Sequence, residues 1–234
     1  VFPSDALKVD HKSDQSPVTE ADHASEAVLL QRIREAYPSH AILSEESGFF
    51  EGDDGHLWLL DPLDGTRGFT RGGAHWGPLI ALLYRGEVVA GAFSLPAQDK
   101  VYAAAKGEGA YKNGARISLS DAPARIEEAT LSLGEVHHLL AAPEQEGITH
   151  LVTRAASVRS HGDLGSAAMV LDGHADLFVE CGVQNWDLGP YPILFAEAGG
   201  RFSDFAGTMD LTLGSALAGK KSLHENVLPM LKIA

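Results

Sequence analysis

The chain has 234 residues, of which 44% are hydrophobic and 21% charged, a composition typical of a folded globular protein with a sizeable core. Its 32 acidic and 18 basic residues give a formal net charge of −14, which argues against a protein that binds nucleic acid or anionic lipid. No apolar run approaches the roughly 20 residues of a membrane-spanning helix.

Cysteine usage and the first residues bear on the compartment. The single cysteine, Cys181, excludes an internal disulfide and a thiolate metal cluster. Residues 1–10 carry neither the basic start nor the apolar stretch of a secretory signal. These features predict a cytoplasmic protein. Because the sequence starts at Val1 and not at methionine, we expect further residues to precede it.

The first predicted elements are a helix and a short strand. After Thr19, apolar residues recur at helical spacing until Pro38, which predicts a helix over 20–37. An apolar run at 57–61 predicts a strand that ends in a carboxylate and is followed at once by a turn.

Three further strands are predicted before the middle of the chain. Runs at 78–84, 87–94 and 101–105 are separated by turn residues, a pattern typical of an antiparallel meander. Asn113-Gly114 adds a hairpin turn.

Beyond residue 125 strands and helices alternate. Apolar runs at 129–133 and 175–181 predict strands, and stretches at 163–173 and 187–198 predict helices. We therefore predict two subdomains, an α+β unit over 1–125 and an α/β unit over 126–234.

The segment from Asp61 to Thr66 is the richest in chemistry. Two carboxylates, Asp61 and Asp64, lie three residues apart around a proline, and hard cations such as Mg²⁺ prefer oxygen ligands of this kind. The backbone N–H groups of Gly65 and Thr66 suit a phosphate if a helix starts there. An ordinary Asp/Pro/Gly turn is the alternative interpretation.

The acidic residues elsewhere in the chain can each have a purely structural role. Asp22 can close a capping box with Thr19, Asp187 can favour the start of the helix in which it lies, and Glu45-Glu46 can be a solvated loop. Their combination decides between a structural and a catalytic role.

Taken together and in order, these blocks resemble the signature blocks of the inositol monophosphatase family, and the match spans nearly the whole chain. The resembling segments are 16–22, 44–48, 58–66, 107–114, 186–187 and 197–200. The resemblance implies the layered αβαβα sandwich of the sugar-phosphatase superfamily, with the site between the two halves. It also implies a homodimer.

The resemblance further implies a set of magnesium ligands. Glu45, Asp61 and the Leu63 carbonyl would hold one Mg²⁺, and Asp61, Asp64 and Asp187 a second. A third, more weakly bound ion would be coordinated by Glu45. Two to three Mg²⁺ ions per site are therefore expected, and they would reduce the repulsion between a phosphate dianion and its nucleophile.

Other residues are implied to act on water and substrate. Thr66, held by Asp22, would orient and deprotonate the attacking water, and Glu45 would share in catalysis. The Gly65 and Thr66 N–H groups would receive the phosphate. Glu180 would reach the alcohol part of the substrate. A family lysine near the metals resembles Lys12.

The implied activity is hydrolysis of a small phosphate monoester by direct attack of water. Residues 67–72 and 76–83 resemble the histidinol-phosphatase branch, whereas 94–96 and 185–187 depart from it. Glu180 and Asp163 would face the amine of histidinol. L-Histidinol phosphate is therefore the first expectation and inositol 1-phosphate the alternative, with a catalytically silent metal-binding regulator as the rival of another class.

Eleven histidines raise the question of zinc. His137 and His138 are adjacent and not four residues apart, and no H-E-x-x-H occurs. The spacing favours ordinary surface or core histidines.

Overall fold

The computed structural model describes residues 8–11, 17–52 and 54–232, and within them it contains fifteen strands and eight α-helices. The strands are β1 (Val9–His11), β2 (Pro17–Thr19), β3 (Ala41–Ser44), β4 (Gly48–Phe50), β5 (His56–Asp64), β6 (Gly77–Tyr84), β7 (Glu87–Leu95), β8 (Lys100–Ala105), β9 (Gly109–Lys112), β10 (Ala115–Ile117), β11 (Thr130–Leu133), β12 (Ser157–Ser160), β13 (Leu177–Cys181), β14 (Arg201–Ser203) and β15 (Ser215–Gly219). The helices are α1 (Glu20–Ala36), α2 (Thr66–Phe69), α3 (Val136–Ala141), α4 (Gln145–Arg154), α5 (Asp163–Leu171), α6 (Asn185–Leu188), α7 (Tyr191–Glu197) and α8 (Lys221–Val227).

Two large sheets organise the chain. The first has eight strands in the order β10-β9-β8-β7-β6-β5-β3-β4, all neighbours antiparallel except the parallel pair β3 and β5. The predicted meander is therefore confirmed. The second sheet has five strands in the order β12-β11-β13-β15-β14, and only the pairs that include β11 are parallel. The predicted subdomain boundary at 125 stays a prediction, and the two sheets lie on either side of it.

Helices alternate with the sheets in layers. Helix α1 packs on the outer face of the first sheet, and α5, α6 and α7 lie between the two sheets. Helices α3, α4 and α8 cover the outer face of the second sheet. The largest hydrophobic cluster fills the middle layer, where α5 and α7 contact the inner faces of both sheets. This layering confirms the predicted αβαβα sandwich.

The N-terminus of α1 shows how local sequence fixes an element. Thr19 Oγ1 accepts the Ala21 N–H at 3.1 Å, and the Asp22 carboxylate accepts the Thr19 N–H at 2.8 Å. These bonds form a capping box, which satisfies amide groups that a helix start leaves without partners. The helix ends at Ala36, before Pro38, and so confirms the predicted element.

Two sequence predictions were wrong in detail. Strand β5 does not stop at Asp61 but continues to Asp64, with an irregular register between these residues because the Leu63 N–H turns to Asp61 Oδ1 at 2.8 Å. The helix predicted over 187–198 is two helices, α6 and α7. Pro190 separates them, since proline lacks the N–H that a continuous helix needs.

None of the helices in the described part of the chain has the length and apolar character needed to cross a bilayer. Lys12 lies outside the described residues.

His224 of α8 makes stability depend on pH. The residue is fully buried, its Nε2 lies 2.9 Å from Ser203 Oγ, and burial, followed by the charge of Arg201, lowers its pKa to about 4. An unfolded histidine titrates near pH 6.5, so between about pH 6.5 and pH 4 only the unfolded state gains this proton.

We expect wild type to lose about 3 kcal/mol of unfolding free energy relative to His224→Gln between pH 7 and pH 4. Denaturant titrations at several pH values measure this difference. The exposed residue His174 provides the control His174→Gln, whose stability should run parallel to wild type. Parallel profiles for His224→Gln as well would contradict the assignment.

Candidate active site

The carboxyl end of β5 carries two of the predicted ligands. Asp61 is 2% exposed, and Asp64 follows on the same strand beyond the irregular register. Asp64 Oδ2 accepts the Leu164 N–H at 2.6 Å, which ties the end of β5 to the first turn of α5. Glu45 follows β3, the parallel neighbour of β5, and its N–H donates to Leu60 O at 3.0 Å. The carboxyl ends of two parallel strands thus place Glu45 beside Asp61.

Asp187 arrives from α6, in the layer between the sheets. Its Oδ2 accepts the Gln184 N–H at 2.8 Å and so closes a capping box at the start of α6. The predicted structural role is therefore present, but the carboxylate also faces Asp61 and Asp64 closely enough to repel both. Four carboxylates, Glu45, Asp61, Asp64 and Asp187, lie together.

The electrostatics of this cluster are unfavourable without a cation. Burial, followed by repulsion from Glu45, Asp64 and Asp187, raises the pKa of Asp61 well above its ordinary value. Burial and the charges of Asp163 and Asp187 raise the pKa of Asp64 in the same way. Desolvated carboxylates that repel one another are stable in the ionised form only when positive charge is bound between them.

Thr66 and Asp22 meet across the site. Thr66 Oγ1 lies 3.0 Å from Asp22 Oδ1 and 2.8 Å from the Leu63 carbonyl oxygen. Asp22 Oδ1 and the Leu63 carbonyl oxygen are both acceptors, so they share the single hydroxyl proton of Thr66. The Thr66 oxygen retains lone pairs that can accept a hydrogen bond from a donor such as water. Asp22 therefore makes both of the contacts considered from the sequence, because its Oδ2 caps α1 while Oδ1 accepts from Thr66. Its part in catalysis stays a prediction.

Gly65 gives the turn into α2 its shape. Its φ of 81° lies in the left-handed region, and a Cβ there would be 2.4 Å from the His75 carbonyl oxygen. A side chain at this position is excluded by both strain and contact. Since α2 begins at Thr66, the amide groups of its first turn are directed out of the helix start.

Glu180 lies on β13 and is 3% exposed. Its carboxylate accepts the N–H groups of Cys181 at 2.9 Å and Glu135 at 3.2 Å, and burial raises its pKa to about 8. Gly134 makes room for it, because a Cβ on Gly134 would lie 1.4 Å from Glu180 Oε2. The adjacent Cys181 thiol is buried, which raises its pKa to about 12 and makes it a poor nucleophile.

Asp163 opens α5 from a left-handed backbone conformation, with φ 48°. Burial, followed by repulsion from Glu135 and Asp187, raises its pKa to about 7, while Arg67 opposes the shift. Asp163 and Glu180 line one pocket together with Asp64, Glu135 and Asp187. The predicted substrate residues therefore border the carboxylate cluster.

The sequence prediction missed Glu135 and Gly134. Both lie in the loop between β11 and α3, and nothing in the local pattern marks them. Their one available signal is the position directly after a strand that is parallel to its neighbours, an edge where sites commonly form.

The residues fit a hard divalent cation. Every donor of the cluster is an oxygen, and the buried charge is negative without an internal counter-ion among the groups that shift Asp61 and Asp64. Such a donor set matches Mg²⁺ or Ca²⁺ and not softer ions. Glu45, Asp61, Asp64, Asp187 and the Leu63 carbonyl are the groups that would hold it.

Comparisons with known proteins identify the family to which the chain belongs. The model of the inositol monophosphatase family matches residues 1–233. A histidinol-phosphatase of Mycobacterium tuberculosis is 36% identical over 96% of this chain and 88% of its own. Nus factor SuhB of Pseudomonas aeruginosa is 34% identical over 96% and 86%. The solved inositol monophosphatase of Anabaena superposes with a TM-score of 0.83 at 33% identity, over 90% of this chain and 85% of that one. The chain belongs to the inositol monophosphatase family and is a phosphomonoesterase.

Proposed function

We propose that the chain is a Mg²⁺-dependent phosphatase that hydrolyses L-histidinol phosphate by direct attack of water, with two to three ions per site. The observation that carries this proposal is the convergence of Glu45, Asp61, Asp64 and Asp187. A further set of acidic residues lines the adjacent pocket, namely Glu135, Asp163 and Glu180. Bound Mg²⁺ would supply the positive charge that polarises the phosphate and activates the water.

The protein's own groups would orient the water and take its proton. Thr66 Oγ1 accepts a hydrogen bond from the attacking water while it donates to Asp22 Oδ1, which the 3.0 Å contact supports. A positioned acid–base pair of this kind contributes roughly 10²- to 10⁴-fold to rate. The Gly65 and Thr66 amides would receive the phosphate oxygens at the start of α2.

The choice of substrate rests on the acidic residues that line the pocket. Glu135, Asp163 and Glu180 line the pocket next to Asp64 and Asp187, so the alcohol part of a bound ester would be surrounded by carboxylates. A buried carboxylate is stabilised by a paired cation, and histidinol carries an ammonium group whereas inositol is neutral. The Mycobacterium tuberculosis relative named histidinol-phosphatase supports the same choice.

Inositol 1-phosphate is the second candidate. The Anabaena neighbour is named an inositol monophosphatase, and carboxylates also accept hydrogen bonds from hydroxyl groups. Phosphate release from histidinol phosphate, inositol 1-phosphate, fructose 1,6-bisphosphate and adenosine 3′,5′-bisphosphate, each with Mg²⁺, separates these substrates. A kcat/KM for inositol 1-phosphate equal to or above that for histidinol phosphate would overturn the first proposal.

Glu180→Gln should change substrate preference. We expect kcat/KM for histidinol phosphate to fall about tenfold or more, as is typical when a charge-assisted hydrogen bond is lost, and activity on a small aryl phosphate to stay within about threefold. Glu146 is exposed on α4, so Glu146→Gln is the matched control and should change neither activity. Equal losses on both substrates would refute a substrate-facing role for Glu180.

A catalytically silent metal-binding regulator is the alternative from another functional class. The relative from Pseudomonas aeruginosa is named a factor and not a phosphatase. Absence of phosphate release from an aryl phosphate at millimolar Mg²⁺ would favour it. A cytoplasmic location and a homodimer also stay predictions, and light scattering of the purified protein tests the dimer.

A further inference from the structure

A second cluster of ligating side chains lies on the first sheet, away from the carboxylates. His40, Asp54 and His56 each offer one ligating atom, and these atoms all lie within 4.8 Å of one another. His40 Nε2 is 3.2 Å from Asp54 Oδ2, and His56 Nδ1 is 3.1 Å from Asp54 Oδ1. The side chains of Asp54 and His56 are 32% and 30% exposed, so solvent ions reach the cluster.

Strand pairing creates this cluster. Ala41 of β3 pairs with Leu57 of β5 in parallel register, so His40 and His56, which precede them, become neighbours. Their rings stack with centroids 4.2 Å apart and an interplanar angle of 8°. Asp54 lies in the loop between β4 and β5, and its Oδ1 accepts the His56 backbone N–H at 2.9 Å.

The polar contacts of the cluster meet at Asp54. His56 Nδ1 is shielded from solvent and lies 3.1 Å from Asp54 Oδ1, but this contact does not have the geometry of a well-aligned hydrogen bond. Well-aligned partners are the norm for buried polar atoms. The Asp54 carboxylate beside it lies between the two rings, 3.2 Å from His40 Nε2 and 3.1 Å from His56 Nδ1. A cation bound between these groups would satisfy both.

We propose that His40, Asp54 and His56 form a binding site for a borderline-soft divalent metal ion of the zinc type. Imidazole nitrogen suits Zn²⁺, Ni²⁺ and Cu²⁺, whereas Mg²⁺ prefers oxygen. Ligand atoms around a tetrahedral zinc lie roughly 3.3 Å apart, so binding requires a small contraction of the three side chains and leaves one position open. The ion would link Asp54, in the loop before β5, to His40, which directly precedes β3.

The hydrogen bond from Trp58 determines which nitrogen of His40 carries the proton. Its Nε1–H donates to His40 Nδ1 at 3.0 Å, so in the neutral ring the proton is on Nε2, facing Asp54. A metal ion at Nε2 displaces that proton. Nδ1 then carries the ring's proton and Trp58 loses its acceptor. Metal binding therefore competes with the Trp58 hydrogen bond, and Trp58→Phe should bind the metal more tightly.

The test is Zn²⁺ titration by calorimetry with excess Mg²⁺ present, which occupies the oxygen cluster. We expect wild type to bind one equivalent, His56→Gln and Asp54→Asn to bind at least about tenfold more weakly, and Trp58→Phe severalfold more tightly. The exposed residue His174 provides the control His174→Gln, which should match wild type.

Cu²⁺ spectroscopy gives an independent readout. Nitrogen hyperfine coupling in the Cu²⁺ electron paramagnetic resonance spectrum reports imidazole ligands, which the oxygen cluster does not supply. We expect this coupling in wild type and its reduction in His56→Gln, with unchanged phosphate release under Mg²⁺. Unaltered Zn²⁺ affinity in both His56→Gln and Asp54→Asn, or no bound equivalent in wild type, would overturn the proposal. Equal affinity of Trp58→Phe and wild type would overturn coordination through His40 Nε2.

Discussion

Asp61→Asn is expected to lower kcat by about a thousandfold or more on every substrate. A catalytic cation contributes several kcal/mol of transition-state stabilisation, and each 1.4 kcal/mol is a factor of ten. Asp61 is 2% exposed and interacts with Glu45, Asp64 and Asp187, so its loss weakens the cluster at its centre. Phosphate release over a range of Mg²⁺ concentrations measures the effect, and excess Mg²⁺ should not restore activity.

The same substitution should stabilise the metal-free protein. Asparagine removes a buried carboxylate that its neighbours repel, and it keeps an oxygen that accepts the Leu63 N–H. Without Mg²⁺ the melting temperature should rise, and the additional rise that Mg²⁺ gives wild type should shrink.

Asp99 is the matched control. It is exposed and has a left-handed backbone conformation that asparagine also tolerates, so Asp99→Asn should match wild type in activity and in its response to Mg²⁺. An Asp61→Asn protein that retains wild-type turnover, or a full Mg²⁺-induced rise in melting temperature, would remove Asp61 from the site.

Thr66→Val has the second largest expected effect, a fall in kcat of about a hundredfold with little change in KM. Valine keeps the shape of threonine but lacks the hydroxyl that joins Asp22 Oδ1 to the proposed water, and loss of acid–base catalysis costs roughly 10²- to 10⁴-fold. Steady-state kinetics at saturating Mg²⁺ measure the change. Since KM reports substrate binding, a parallel rise in KM would indicate a phosphate-binding role in place of proton transfer.

Two further variants make this prediction specific. Thr66→Ser restores the hydroxyl and should recover most of the rate. Thr70 lies one turn further on, where its Oγ1 donates to the Arg67 carbonyl, so Thr70→Val should be silent. Full activity of Thr66→Val would exclude the hydroxyl from the reaction.

Much of the fold was predictable because it is encoded locally. Helix α1 is specified by its capping residues and by Pro38, and the meander β6–β8 by alternating runs and turn residues. The break at Pro190 was missed because the apolar residues on either side of it continue at helical spacing. Helices α3, α4 and α8 were not predicted. Helices α3 and α8 have only six and seven residues, too few for a clear periodic pattern, whereas α4 is amphipathic and its pattern was overlooked.

The carboxylate cluster was predicted as a set of residues, because their order along the chain resembles a known family. What the sequence determined by itself was the inventory of oxygen ligands, the acidic charge and the local caps and turns. Only the tertiary structure decided that Glu135 and Gly134 border the pocket and that His40 stacks on His56. The physical reason is strand pairing, since register across a sheet makes neighbours of residues whose spacing along the chain carries no signal.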